Sequence, residues 1–512
     1  MKVVNIFPSL CALPGYCSPT WNDHGGLTVS TSSGSIYGKI DPAAPDVRQY
    51  LGIPFAKSPL DDLRFAPPQA LDSSAATNRV HATELPQSCM QFLGSGASVY
   101  NREILEFGLQ GLNTTGSVTE DCLTLSVWAP KNAKKQELLP VLIYVYGGAF
   151  QTGGQDVPYQ IPTQWVQRTQ DHIVVSFNYR LNIFGYPNAA GINPTAQNVG
   201  LLDQRLAVEW VRDNIAEFGG DASRMVLWGQ SAGSTAVVNF VYSYAEDPII
   251  SGFIADSGVP QDAPSAPPAS NFTFVASNLG CGDLSPSAEL ACMRKLPAAD
   301  LENFLANYSN TQTQPALRFW PIPDNVTMPY NFTDRALKGK LPSIPGIIGS
   351  NAQDGVPFAP YNPSGPNATT AENARLSVFF CPVTYQIHLR QQAGLDTFSY
   401  FYGGNFSNIA PKPWLGAYHS GELPLIFGTH PDFRGPSTAF EYETSHAMQD
   451  AWVAFAAGGA KGLESTGWKT YTALGDNSVR NFGNATTGEA VGDVALGWSE
   501  QRCQGSMLKS SL

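Results

Sequence analysis

Arg224-Met225-Val226-Leu227-Trp228 runs directly into Gly229-Gln230-Ser231-Ala232-Gly233, and this stretch decides the fold. The apolar run reads as a buried strand, and residues 233–242 read as a helix. Between them stands a G-x-S-x-G pentapeptide. Alone it is common, and the bland reading is a glycine-rich corner. A strand before it and a helix behind make it a nucleophile elbow, a tight turn that pushes a serine Oγ outward. The helix then directs its positive N-terminal end at the same place. Ser231 is the candidate nucleophile.

Working outward, further apolar, β-branched runs at 141–146, 172–177, 252–255, 347–349 and 398–402 alternate with helical patterns. Short buried runs separated by helices predict an α/β fold, a large, mostly parallel central sheet with helices on both faces. The clearest helix is predicted over 204–218, stopped by Gly219-Gly220. A Pro- and Asn-rich stretch from Gly258 to about Ser343 reads as an elaborated insertion. The length of 512 residues alone suggests three domains, but the pattern reads as one large domain with excursions.

A serine hydroxyl needs a base, and histidine is the usual one. In the chain order Ser, acid, His that accompanies such elbows, His388, His419, His430 and His446 remain. His419 lies in Tyr418-His419-Ser420-Gly421-Glu422, after the run at 398–402, and is the chosen base. His446 sits in a helical pattern with Met448, Trp452 and Phe455, where a core or capping role fits better. The acid must orient the imidazole. Asp354 follows the run Ile347-Ile348-Gly349, where a loop carboxylate stands at the carboxyl edge of a parallel sheet; a plain Asp-Gly turn is the alternative. Backbone donors for an oxyanion are expected from Ala232 and from the glycine loop Tyr146-Gly147-Gly148-Ala149-Phe150. This chemistry requires no metal or organic cofactor.

Composition bounds the setting. Hydrophobic residues make up 43%, enough for a sizeable core, while only 14% are charged, below the roughly 25% of ordinary soluble domains. Net charge is −12, a poor footprint for nucleic acid. Asn113, Asn271, Asn307, Asn325, Asn331, Asn367, Asn405 and Asn484 each begin an N-x-S/T sequon. Glycans there would supply the neutral surface that missing charges do not. The start, Met1-Lys2 followed by a short apolar stretch, reads as a signal peptide over about 1–18, preceding one catalytic domain over 19–512. Secretion is therefore expected. No run approaches the roughly 18 apolar residues of a membrane span. Eight cysteines without a CxxC pair argue against structural zinc, and spacing alone assigns no pairing.

Together these segments resemble the type-B carboxylesterase/lipase family of α/β hydrolases, which holds cholinesterases, carboxylesterases and fungal lipases. The resemblance runs from Gly38 to about Cys503. It rests on Leu51-Gly52-Ile53-Pro54-Phe55-Ala56, Leu63-Arg64-Phe65, Glu120-Asp121-Cys122-Leu123, Asn178-Tyr179-Arg180, Asn198-Val199-Gly200-Leu201-Leu202-Asp203-Gln204-Arg205 and Phe218-Gly219-Gly220-Asp221. It implies a Ser231, Asp354, His419 triad and Gly148, Ala149 and Ala232 as oxyanion donors. It also implies disulfides Cys89–Cys122, Cys281–Cys292 and Cys381–Cys503, with Arg64 and Glu120 as a structural ion pair. Three departures stand out. Asp354 takes the place of the usual Glu, Ala149 that of a third glycine, and Gln230 that of the Glu before the nucleophile. No Trp lies between Cys89 and Cys122, which argues against cationic choline esters.

The reading is a carboxylic ester hydrolase acting on a small-molecule ester, with no oligomeric state implied. A lidded lipase is the main alternative. Tyr100, Ile104, Leu105, Phe107, Leu109 and Leu112 could line a mobile lid, though an ordinary helix packed on the core is the favoured reading. A tailoring esterase of secondary metabolism would use the same triad. A non-enzymatic adhesion protein on this fold is disfavoured because every catalytic role is filled.

Overall fold

The computed structural model describes residues 26–104, 118–134, 136–263, 269–432, 434–471, 478–495 and 501–503. The expected signal segment, Cys11, Cys17, Asn113 and the four apolar residues Leu105, Phe107, Leu109 and Leu112 lie outside them.

An eleven-stranded sheet carries the molecule. Its strands in chain order are β1 (Lys39–Asp41), β2 (Ala44–Pro54), β3 (Thr124–Pro130), β4 (Leu139–Val145), β5 (Ile173–Phe177), β6 (Gly220–Gln230), β7 (Gly252–Asp256), β8 (Gly346–Asn351), β9 (Thr397–Tyr402), β10 (Val479–Asn484) and β11 (Glu489–Val494). The spatial order is β11-β10-β9-β8-β7-β6-β4-β5-β3-β2-β1. From β10 to β5 every neighbouring pair is parallel, and the flanking pairs are antiparallel. The central strands β5 and β7 are buried at every position, as strands covered on both faces must be. That burial is why their sequence shows continuous apolar runs rather than alternation.

The helix expected at 204–218 begins earlier. It spans Val199–Asn214 (α1) and tightens into a 3₁₀ turn at Ile215–Phe218. Gly200, a poor helix residue, sits inside because a Cβ there would meet Arg180 O at 2.5 Å. Tertiary approach overrides propensity at that point. The same approach brings Asp203 of α1 to Arg180, whose Nε and Nη2 donate to its two oxygens at 2.8 and 2.7 Å. This buried, bidentate pair fixes the loop after β5 against α1.

Past β7 the insertion folds into helices at Ser270–Asn278 (α2), Pro286–Lys295 (α3), Ala298–Asn310 (α4) and Phe332–Leu337 (α5). The first three build a second core from Phe272, Val275, Leu290, Met293, Leu301 and Leu305, joined by Phe65, Phe184 and Phe319. Arg64 ties this unit to the main body. It donates to both Glu120 oxygens at 2.6 Å and, through Nη1, to the carbonyls of Met293 and Leu296. Disulfides join Cys89–Cys122, Cys281–Cys292 and Cys381–Cys503. Of the sequon asparagines, Asn307, Asn325, Asn331, Asn367 and Asn405 are exposed, and Asn271 and Asn484 are half-buried. Among the described residues no helix is long and apolar enough to cross a membrane.

Candidate active site

Ser231 stands at the carboxyl end of β6, directly before the helix Ala232–Ser243. Its backbone has φ 57° and ψ −122°, a conformation costing a non-glycine residue on the order of 1–3 kcal/mol. Small neighbours let the turn persist. A Cβ on Gly229 would lie 2.5 Å from Gly233 C, and one on Gly233 would lie 2.0 Å from Val145 O. The backbone is held from both sides, with Ser231 N donating to Asp256 O at 2.8 Å and Ser231 O accepting from Thr235 N at 2.9 Å.

The glycine loop after β4 approaches the same point. Gly148 has φ +111°, and Ala149 and Phe150 follow with φ 55° and 59°. Gly148 O accepts from the amides of Gln151 and Thr152 at 2.9 and 3.1 Å, which closes the turn. Among the described residues, the N–H groups of Gly148, Ala149 and Ala232 donate to no acceptor. These three amides are therefore available to a ligand oxygen.

His419 and Asp354 arrive on loops after β9 and β8. Gln353 stitches the two loops together, its N donating to Ala417 O at 3.0 Å and its Oε1 accepting from Ala417 N at 2.7 Å. His419 Nδ1 meets Asp354 Oδ1 at 2.8 Å, and both side chains are buried. Asp354 Oδ2 accepts from Ser257 Oγ at 2.9 Å and from Asn351 N at 2.7 Å. With Asp354 as acceptor, Nδ1 carries the ring proton and Nε2 the lone pair, an assignment that follows from the partners. That is the tautomer a general base requires. Nε2 is met by Gln230 Nε2 at 3.2 Å, and among the described residues no hydrogen bond joins it to Ser231 Oγ. Such contacts are often loose in ligand-free enzymes and tighten on binding. Phe379 and Phe358 flank the imidazole with ring centroids at 4.4 and 5.1 Å, and Tyr100 OH donates to His419 O at 3.1 Å.

The other histidines lie elsewhere. His430 is buried against Ser437 and Glu441, and His388 pairs with Gln392 on its own helix. His446, expected in a core or capping role, is exposed on the helix Ala439–Ser465. Its neighbours Met448, Trp452 and Phe455 take the buried face instead.

Near Asp354 lie two carboxyls that the sequence does not single out. Burial pushes the Glu422 carboxyl well above its usual range, reinforced by Asp256 and Asp354 and opposed by a bond from Asn351 Nδ2. Asp256 is pushed up to about 7, first by burial, against a bond from Trp228 Nε1. A carboxyl raised this way holds a proton in the folded state that the unfolded chain has already lost. Its stabilising effect is complete below the unfolded value near 4 and is lost as pH rises to about 7. Asp256→Asn removes that dependence. Thermal melts should show the variant gaining on wild type between pH 4.5 and pH 8, and an unchanged difference would contradict the assignment.

Ser231, Gly148, Ala149, Gln230 and His419 line one cavity of about 350 Å³, walled also by Tyr100, Ile104, Tyr146, Tyr159 and Phe358. Tyr100 and Ile104 belong to the helical turn Tyr100–Ile104, within the loop closed by Cys89–Cys122. No Asp, Glu, Lys or Arg is among the described residues lining the cavity.

A serine on a strained strand-to-helix turn, a carboxylate-oriented imidazole and a facing glycine loop define the class of α/β-hydrolase serine enzymes. The carboxylesterase family model matches residues 26–378 and 366–490, and the chain belongs to that family. It is similar to chlorogenic acid esterase of Aspergillus niger, 46% identical over 88% of this chain and 87% of that protein. It is 41% identical to secreted lipase 5 of Gibberella zeae, over 90% of this chain and 91% of the other. Acetylcholinesterase of Bungarus fasciatus is 27% identical, over 88% and 82%. The protein is a serine carboxylic ester hydrolase.

Proposed function

We propose that the chain is a secreted esterase for small aromatic esters of the chlorogenic acid type, working through Ser231, His419 and Asp354. The substrate reading is carried by the cavity wall. Aromatic rings of Tyr100, Tyr146, Tyr159 and Phe358 line it together with the amides of Asn101, Gln151, Gln160 and Gln230. Such a wall suits a flat, hydroxyl-bearing ring better than an alkyl chain: the rings offer it stacking faces, and Gln160 Oε1, buried with no partner among the described residues, is left to accept from a hydroxyl. The 46% identity to a chlorogenic acid esterase supports the same choice. The secreted lipase relative keeps a lipase as the second reading. Three disulfides and that relative support secretion, with residues 1–18 as signal and 19–512 as one catalytic domain.

In the proposed reaction His419 Nε2 takes the Ser231 proton as Oγ attacks the ester carbonyl. The amides of Gly148, Ala149 and Ala232 receive the developing oxyanion, each worth about 3–4 kcal/mol in such sites. Asp354 holds the imidazolium through Nδ1, and His419 returns its proton to the departing alcohol. Water then attacks the acyl-enzyme by the same path in reverse, releasing the acid. A panel of hydroxycinnamoyl, short-acyl and emulsified long-chain esters tests the substrate reading. Highest kcat/KM on the hydroxycinnamoyl esters is expected. A rate jump at the emulsion interface with a long-chain optimum would replace this reading with the lipase.

A further inference from the structure

A second cavity of about 640 Å³ adjoins the first, and Gln151 and Thr152 line both. Residues 316–320, which follow α4, form one wall of it. Three side chains hold that wall. Tyr308 OH donates to Pro315 O at 3.0 Å, Asn271 Nδ2 to Arg318 O at 2.8 Å, and Gln151 Nε2 to Phe319 O at 2.7 Å. Phe319 itself is buried in the second core. Gln151 thus links the wall to the turn on which Gly148 and Ala149 stand.

From this held segment Arg318 and Trp320 project as a pair, the guanidinium carbon 5.1 Å from the indole centroid. Trp320 is 46% exposed, a large apolar face left open beside a cavity. Arg318 is exposed too, and no carboxylate pairs with it among the described residues. Its charge is distinctive. Among the described residues lining the two cavities it is the one permanent cation, and no carboxylate lines either, in a chain of net charge −12. A guanidinium stacked on an aromatic face keeps its planar N–H edge free to grip a carboxylate at two points.

We propose that this second cavity is the subsite for the alcohol half of the ester, and that Arg318 receives a carboxylate carried on that half. The proposal builds on the substrate reading above, because chlorogenate joins a hydroxycinnamoyl group to an alcohol bearing one carboxylate. With the acyl ring among the aromatic walls near Ser231, the alcohol half leaves across Gln151 and Thr152 toward Arg318. Trp320 offers a face for its ring. A substrate with a neutral alcohol half gains nothing from the cation.

The test compares chlorogenate with its methyl ester, which keeps the scissile bond and masks the charge. Wild-type protein should favour the acid about tenfold in kcat/KM, through KM, with the preference shrinking as salt rises. Arg318→Gln should bring the ratio to about one, and Arg318→Lys should keep part of it. Because the ratio is read within each variant, a change in folded fraction cannot imitate the effect. A second pair, 3-acetoxybenzoate and its methyl ester, carries the charge on the alcohol half without a hydroxycinnamoyl group. A preference there that Arg318→Gln removes, with no hydrolysis of chlorogenate, would overturn the hydroxycinnamoyl reading and support the Arg318 subsite. An acid-to-methyl ratio that Arg318→Gln leaves unchanged in both pairs would overturn the subsite.

Discussion

Ser231→Ala is expected to lower kcat on an activated ester such as 4-nitrophenyl acetate by about a millionfold, the scale seen when a serine nucleophile is deleted. The substitution removes one oxygen and leaves the backbone demand unchanged, since alanine bears the same positive-φ cost as serine. The elbow is held by Ser231 N to Asp256 O and Thr235 N to Ser231 O, neither of which uses the hydroxyl. The melting temperature should therefore stay near that of wild type. Loss of activity with loss of fold would not support the role; loss of activity with an unchanged melt would. Residual activity above about one per cent in protein free of contaminating esterases would contradict it.

The second large effect is expected from Asp354→Asn, a fall in kcat of about ten-thousandfold. The reason lies in the donor count. Asp354 Oδ2 accepts two bonds, from Ser257 Oγ and Asn351 N, while Oδ1 faces His419 Nδ1. An asparagine satisfies both donors by turning its single oxygen to them, which turns its NH₂ toward His419. Nδ1 must then accept, the ring proton moves to Nε2, and the lone pair that should take the Ser231 proton is gone. Asp354→Glu, which restores a carboxylate on a longer arm, should recover much of the loss. Recovery of activity by asparagine and not by glutamate would sink the argument.

These two residues were legible in the sequence for different reasons. Ser231 is marked locally, because a strand, a glycine-spaced turn and a helix must follow one another within a few residues. The β strands and the elbow are readable for the same reason. Asp354 and His419 are candidates by chain order and loop position, and no local signature marks their contact. What escaped is what only the fold brings together. Ser257 reaches Asp354 from 97 residues away, and Asn351 joins the network partly through a backbone amide that carries no sequence information. Gln230 was noticed as a departure before the nucleophile, but its meeting with His419 Nε2 spans 189 positions. Glu422 and Asp256 read as ordinary loop and strand-end acids until burial gives them their character. α1 starts at Val199, ahead of the expected 204, and Gly200 in its first turn is the residue that fits the close approach of Arg180 O.

In the proposed reaction Ser231 is the residue that the ester acylates. This role is tested most directly by treating the purified protein with one equivalent of a fluorophosphonate and mapping the adduct by peptide mass spectrometry. Complete inactivation is expected, with the phosphonyl group on the peptide containing Gly229-Gln230-Ser231-Ala232-Gly233 and at no other position. Inactivation with the adduct on a different serine, or full activity retained by protein modified at Ser231, would contradict it.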